Sequence, residues 1–136
     1  MVCIYCSSKT SIINSRHWSR NNSTWRRRQC GTCNAVFTTT EIPSYESLWT
    51  ILDSPTKSIE PFSRDKLYLS VYECCKHRTK AIDDASGLTD TIVNKSIKIV
   101  SNGSIEKSRL KQIAFLTLKN FDSASAVFYN AYHGPI

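Results

Sequence analysis

Two cysteine pairs, Cys3-Ile4-Tyr5-Cys6 and Cys30-Gly31-Thr32-Cys33, constrain what this chain can fold into more than any other feature. A gap of two residues lets neighbouring thiolates bend round one ion in a knuckle, and Gly31 supplies backbone freedom for one such bend. Four thiolates make a closed tetrahedral site. Residues 7 to 29 form a connection slightly longer than is usual for this spacing, which still suits two knuckles joined by a hairpin. Zinc is the expected occupant, one structural ion, because no redox partner motif accompanies the site; iron held as in rubredoxin fits the same ligands. Two disulfides or four buried thiols are the remaining readings, and nothing in the chain points to the oxidising compartment that disulfides need.

The chain has 136 residues, enough for one ordinary domain or two small ones. An amino-terminal piece of roughly 45 residues buries little core, so a metal staple is what its size demands. The opening Met-Val-Cys-Ile-Tyr-Cys has no basic region, no sustained apolar run and no cleavage-like site, and no stretch approaches the length needed to span a bilayer. The expectation is a protein of the cytoplasm with no membrane partner.

The net charge of +7 is unevenly placed. Residues 1 to 45 carry Lys9, Arg16, Arg20, Arg26, Arg27 and Arg28 against Glu41 alone, whereas residues 46 to 136 hold twelve basic and ten acidic side chains. Five of those six cations are arginine, whose planar fork matches phosphate and guanine edges better than the point charge of lysine.

Ser11-Ile12-Ile13-Asn14-Ser15 and Ser23 to Gln29 read as strands separated by a polar loop whose Asn21-Asn22 tolerates positive φ, and Ala35 to Thr40 completes a small antiparallel sheet. Arg16, His17, Trp18 and Arg20 are placed on the loop. The period of two sends Arg26 and Arg28 to one face and Arg27 to the other. Cations interleaved with Trp18 and Trp25 suit phosphates and bases, which makes Arg16, Arg26, Arg27 and Arg28 the candidate nucleic-acid contacts. The alternative is a solvated basic face with tryptophans capping a thin core.

Glu41-Ile42-Pro43-Ser44 leads out of the ribbon, placing a domain boundary near residue 45, with units 1–45 and 46–136. Ser47 to Leu52 reads as a strand, Asp53-Ser54-Pro55-Thr56 as a turn and Lys57 to Phe62 as a returning strand. Four helices follow. The first is capped by Ser63 and turns Leu67, Val71, Cys74 and Cys75 inward; the second runs from about Leu88 to Val100 with Val93, Ile97 and Val100 in a stripe, stopping at Asn102-Gly103. Ser104-Ile105-Glu106-Lys107 starts the third, with Leu110, Ile113, Ala114 and Leu118 inward, and Asp122-Ser123 caps the fourth, with Ala124, Val127, Phe128 and Ala131 inward. The fold class is α+β. His17, His77 and His133 are scattered with no nucleophile or carboxylate in a recognisable arrangement beside them, so the chain is not read as an enzyme.

These residues resemble the NrdR family, bacterial transcriptional repressors of ribonucleotide reductase genes. The resemblance spans nearly the whole length and rests on Cys3 to Cys6, Ile12-Ile13-Asn14-Ser15-Arg16, Arg26 to Asn34, Phe37-Thr38-Thr39-Thr40-Glu41, and Glu60-Pro61-Phe62-Ser63-Arg64-Asp65-Lys66-Leu67. It implies a zinc ribbon followed by an ATP-cone, a nucleotide-sensing and oligomerisation module that takes ATP or dATP as allosteric ligand. It further implies a cytoplasmic, nucleoid-associated repressor that meets operator double-stranded DNA and assembles with itself into nucleotide-dependent homo-oligomers. Asn14 stands where the family has Asp, and Trp25 replaces one arginine of its run. Relatives carry Val-x-Lys on the first cone strand, where this chain has Thr50-Ile51-Leu52-Asp53; the closing aromatic segment is echoed only in Tyr129-Asn130-Ala131-Tyr132. Lys66 and Glu60 match nucleotide-binding positions, and Lys57 is the candidate substitute for the missing lysine. The rival reading is a protein- or RNA-interaction ribbon joined to a cone that has lost its ligand.

Overall fold

The computed structural model describes residues 1–20, 22–44 and 49–134, and the chain divides into two compact units, Met1–Ser44 and Tyr45–Ile136. In the first, β1 (Thr10–Trp18), β2 (Ser23–Cys30) and β3 (Val36–Glu41) form an antiparallel sheet in the order β1-β2-β3. Arg16, His17 and Trp18, expected on a loop, instead extend β1, paired with Trp25, Thr24 and Ser23. A bulge between Ile12 and Asn14 leaves Ile13 as the extra residue, and Asn22 takes φ 48° at the hairpin tip; Asn21 lies outside the described residues. Little in this unit is shielded from water: Cys3, Ser23, Arg28 and Cys30 are buried, while Ile4, Tyr5, Ile12, Ile13, Trp18 and Val36 are exposed. A sheet with so few apolar contacts depends on its cysteines.

The second unit opens with β4 (Thr50–Asp53) and β5 (Ser58–Pro61), an antiparallel hairpin. The strand expected to begin at Ser47 falls partly outside the described residues. Lys57, expected on the returning strand, sits in the turn before β5 with φ 54°. Helices α1 (Arg64–Cys75) and α2 (Ala81–Ile97) follow. Ser63 caps α1, its hydroxyl accepting from the Lys66 amide, and Leu67, Val71, Cys74 and Cys75 are buried as the helical spacing requires. Helix α2 starts seven residues before Leu88, because Asp83 and Asp84 suit a helix N-terminus and Ala85 to Ser96 continues its buried stripe. Its buried hydroxyls are satisfied within the helix, Thr89 donating to the Ala85 carbonyl at 2.7 Å and Ser96 to that of Ile92 at 2.8 Å.

The segment Ser104–Glu106, expected to begin a helix, is strand β6, parallel to β4 with Ile51 opposite Ile105. Asn102 and Gly103, both at positive φ, swing the chain into it. Helices α3 (Lys107–Phe121) and α4 (Ser123–His133) complete the unit. Asp122 caps α4 through the Ser125 amide at 3.0 Å. The stripe expected inward on α4 is rotated: Ser125, Ala126 and Tyr129 are buried, whereas Ala124, Val127, Phe128 and Ala131 are exposed. The core gathers Val71, Cys74, Cys75, Ala85, Ile92, Ala114 and Leu118 between the helices, with Trp49 stacked on Phe62 at 3.9 Å beside the sheet.

Candidate functional site

The four cysteine sulfurs lie within 4.8 Å of one another. Cys3 and Cys33 are 3.6 Å apart, and Cys6 is 3.5 Å from both Cys30 and Cys33. Metal–sulfur bonds of about 2.3 Å in a tetrahedron place the sulfurs about 3.8 Å apart, so the cage fits one zinc ion with little movement. The two knuckles match: the Cys3 amide donates to the Ser8 carbonyl at 2.8 Å and the Cys30 amide to that of Ala35 at 3.0 Å. The Tyr5 amide points at the Cys3 sulfur at 3.5 Å, and the amides of Cys33 (3.5 Å) and Thr32 (3.4 Å) donate to the Cys30 sulfur and hold its thiol below the usual range. Without an ion the sulfurs share charge unequally. Hydrogen bonds from Ser8 hold the Cys6 thiol down to about 6, while Cys33, despite the favourable Ala35 amide, is pushed up to about 12 by Cys6 and by burial. A divalent cation removes that conflict, since it stabilises all four thiolates at once. The cluster supports one structural zinc.

The expected DNA-contacting arginines separate by face. Arg27 is exposed on β2, opposite Asn14 of β1 and Thr38 of β3, and the neighbouring pairs on that face are Arg16 with Trp25 and Trp25 with Thr40. The Arg16 guanidinium lies 5.9 Å from the centre of the Trp25 ring, a cation–π contact that orients it without neutralising it. On the other face Arg26 donates to Glu41 at 2.6 Å, and Arg28, only 7% exposed, donates from Nε to the Thr39 hydroxyl at 3.1 Å. Arg28 thus packs inside the ribbon and Arg26 tethers β2 to the end of β3. The structure brings Arg16 and Arg27 together on an open surface but not Arg26 and Arg28.

In the second unit a cavity of about 260 Å³ is walled by Ile51, Asp53 and Glu60 from the hairpin, Lys66 from α1, Lys107 and Lys111 from α3, and His133 from α4. Lys66 and Glu60 share it. Lys57 instead borders a shallower depression with Leu52 and Glu106. Lys107 and Lys111 are the residues that sequence reasoning missed. Their spacing of four puts both on one helix face, but only the unforeseen β6 brings the start of α3 beside β4. Lys107 donates to Asp53 at 2.7 Å and Lys111 to the His133 carbonyl at 2.6 Å. The Asp53 carboxyl is held below its usual range by that hydrogen bond, and burial together with the two α3 ammoniums depresses His133. Three ammoniums against two carboxylates leave a cationic cavity, suited to an anion. Each histidine has a local partner: His17 pairs with Thr24, His77 with Asp122, and His133 with Ser70. Among the described residues no helix is long and apolar enough to cross a membrane.

Residues 1–41 match the family described as transcriptional repressor NrdR-like, N-terminal domain. Proteins named transcriptional repressor NrdR are similar over 128 residues, 93% of this chain: that of Psychrobacter cryohalolentis is 30% identical with 82% of its length covered, and that of Clostridioides difficile 30% with 81% covered. The protein of that name from Lachnoclostridium phytofermentans is 28% identical, with 82% of its length covered. The likeness therefore runs through both units rather than the ribbon alone, and by it this chain belongs to the NrdR family.

Proposed function

We propose that the chain is a transcriptional repressor that grips operator DNA through the ribbon face bearing Arg16 and Arg27, acts on ribonucleotide reductase genes, and assembles according to the nucleotide held in its second unit. The observation that carries the DNA contact is the split of the arginines: Arg27, between Asn14 and Thr38, and Arg16, beside Trp25, are exposed, whereas Arg26 is paired with Glu41 and Arg28 is buried. The metal supplies rigidity, so that the two open guanidiniums keep their spacing on the sheet.

ATP or dATP is the proposed ligand of the cavity, with Lys66, Lys107 and Lys111 toward the phosphates. Lys57, which borders a different depression, is a poorer substitute for the strand lysine of relatives than these two. A single ribbon with two open arginines binds weakly; copies held together bind through effective concentration, so a change of assembly switches repression without altering any DNA-contacting residue. The carboxylate of Asp53 in the cavity favours the second reading, a ribbon joined to a cone without a ligand. Thermal shift with ATP and dATP separates the two, because a ligand bound only by the folded state raises its stability.

Gel-shift titration across salt concentrations tests the face. Arg27→Ala and Arg16→Ala should each weaken binding and lower the salt slope by about 1, as expected when one phosphate contact is lost. Arg26→Gln should leave the slope as in the wild type. Equal losses from Arg26→Gln and Arg27→Ala would reject the assignment.

A further inference from the structure

We propose that Asp53 is a built-in competitor for the anion of this cavity: its carboxylate occupies the Lys107 ammonium that an incoming nucleotide phosphate would take, and so lowers the affinity of the site. The inference rests on the reading of the cavity as a nucleotide site and concerns how that site is regulated. It starts from the parallel ladder, which sets Leu52 opposite Glu106 and so places Asp53 and Lys107 one step further on, side by side. Their side chains meet at 2.7 Å on the cavity wall.

The pair is asymmetric. The Asp53 side chain is 17% exposed and that of Lys107 is 48% exposed, so the ammonium is open to a ligand while the carboxylate lies behind it. A second depression, lined by Ser54, Glu106 and Ser108, opens on the same Asp53, Lys107 and Lys111, which gives an extended ligand room on the solvent side of the pair. Lys111 follows Lys107 by one helical turn, and Glu106, at the N-cap position, makes no side-chain cap, so the first amides of α3 are not spent on it. An anion arriving there meets two ammoniums, but also the Glu106 carboxylate and an Asp53 carboxylate already bonded to one of those ammoniums. It must displace Asp53 from Lys107 or sit against a like charge, and either course costs affinity.

The test uses the full zinc-loaded chain and isothermal titration with ATP, dATP and inorganic triphosphate, at fixed pH and salt. Asp53→Asn keeps the shape of the side chain and removes its charge. It should bind all three probes roughly three- to tenfold more tightly than the wild type, the size expected from freeing one partly exposed ion pair and removing one repulsion. The gain should vanish when Asp53→Asn is made in a Lys107→Gln background, because the competition acts through that ammonium. Should Asp53→Asn melt early, Asp53→Ser reads the same effect. A wild type that binds alongside an Asp53→Asn variant of equal or weaker affinity overturns the competitor and leaves the nucleotide site standing. A gain that persists without Lys107 likewise overturns it. If neither protein binds any probe at millimolar concentration, the nucleotide site falls and the competitor with it.

Discussion

Ser7 and Asn34 stand one residue beyond Cys6 and Cys33 and take φ of 58° and 55°, so each knuckle leaves its metal ligands through a left-handed residue. The freedom that the sequence suggested at Gly31 is not used there: Gly31 is not among the positive-φ glycines, and a Cβ added to it meets nothing within 4 Å. Gly31→Ala should therefore leave the melting temperature unchanged or slightly raised, as reduced chain entropy in the unfolded state predicts. Asn34→Val should cost about 1–2 kcal/mol, since a β-branched side chain opposes left-handed backbone. Thermal melts of the zinc-loaded variants check both, and a larger loss at Gly31 than at Asn34 would contradict the geometry. Residue identity told where the ligands and cations are. It did not tell that Arg28 is buried, because strand alternation sorts side chains into two faces without saying which face is covered.

Helix α4 shows the same limit for a whole element. Ala124, Val127, Phe128 and Ala131 make the more apolar stripe, and the mixed stripe of Ser125, Ala126 and Tyr129 lies beside it; periodicity and hydropathy favour the first, but the second is buried. Burial of the second is decided by contacts far in sequence. The Ser125 hydroxyl lies 3.7 Å from Cys75 of α1 and donates to Asp122 at 2.7 Å, so the polar residue goes inward with its partners. Strand β6 was illegible for a related reason, since three residues earn their conformation only by pairing with β4. Ser63 and Asp122, by contrast, were readable because capping is local.

The cap also sets a pH response. Hydrogen bonds from the Ser125 hydroxyl and amide, with His77 beyond them, hold the Asp122 carboxyl down to about 2. An unfolded aspartate titrates near 3.9, so this contribution is fully present above about pH 4 and is lost as pH falls through about 2. Asp122→Ala should destabilise the second unit by about 1 kcal/mol at neutral pH. Asp122→Asn, which keeps an acceptor for the cap, should flatten the acid limb of stability against pH. A variant whose acid limb matches the wild type would show that other carboxylates control it.

For the whole molecule, the contrast lies between a unit closed by four sulfurs and one closed by apolar side chains. Structural zinc in small domains contributes an apparent free energy of about 10–16 kcal/mol, far above what the few buried residues of the ribbon supply. Chelation should therefore abolish the β-sheet signal of residues 1–44 and DNA binding, while the helical circular dichroism persists and melts separately. Ile92→Ala, at a fully buried position of α2, should do the reverse, costing about 2–5 kcal/mol in the helical transition with the metal retained. One cooperative loss of both signals on chelation would contradict this division.

The strand order β5-β4-β6 carries a further consequence for synthesis. The hairpin emerges from the ribosome before α1 and α2, and the segment that flanks β4 follows only after both helices. Until Ser104–Glu106 is made, the backbone of Thr50–Leu52 presents one bare flank of donors and acceptors. A nascent chain stalled or cleaved before that point is released with its hairpin ready to recruit a stray strand, and sticky truncation products of that length are the expected signature.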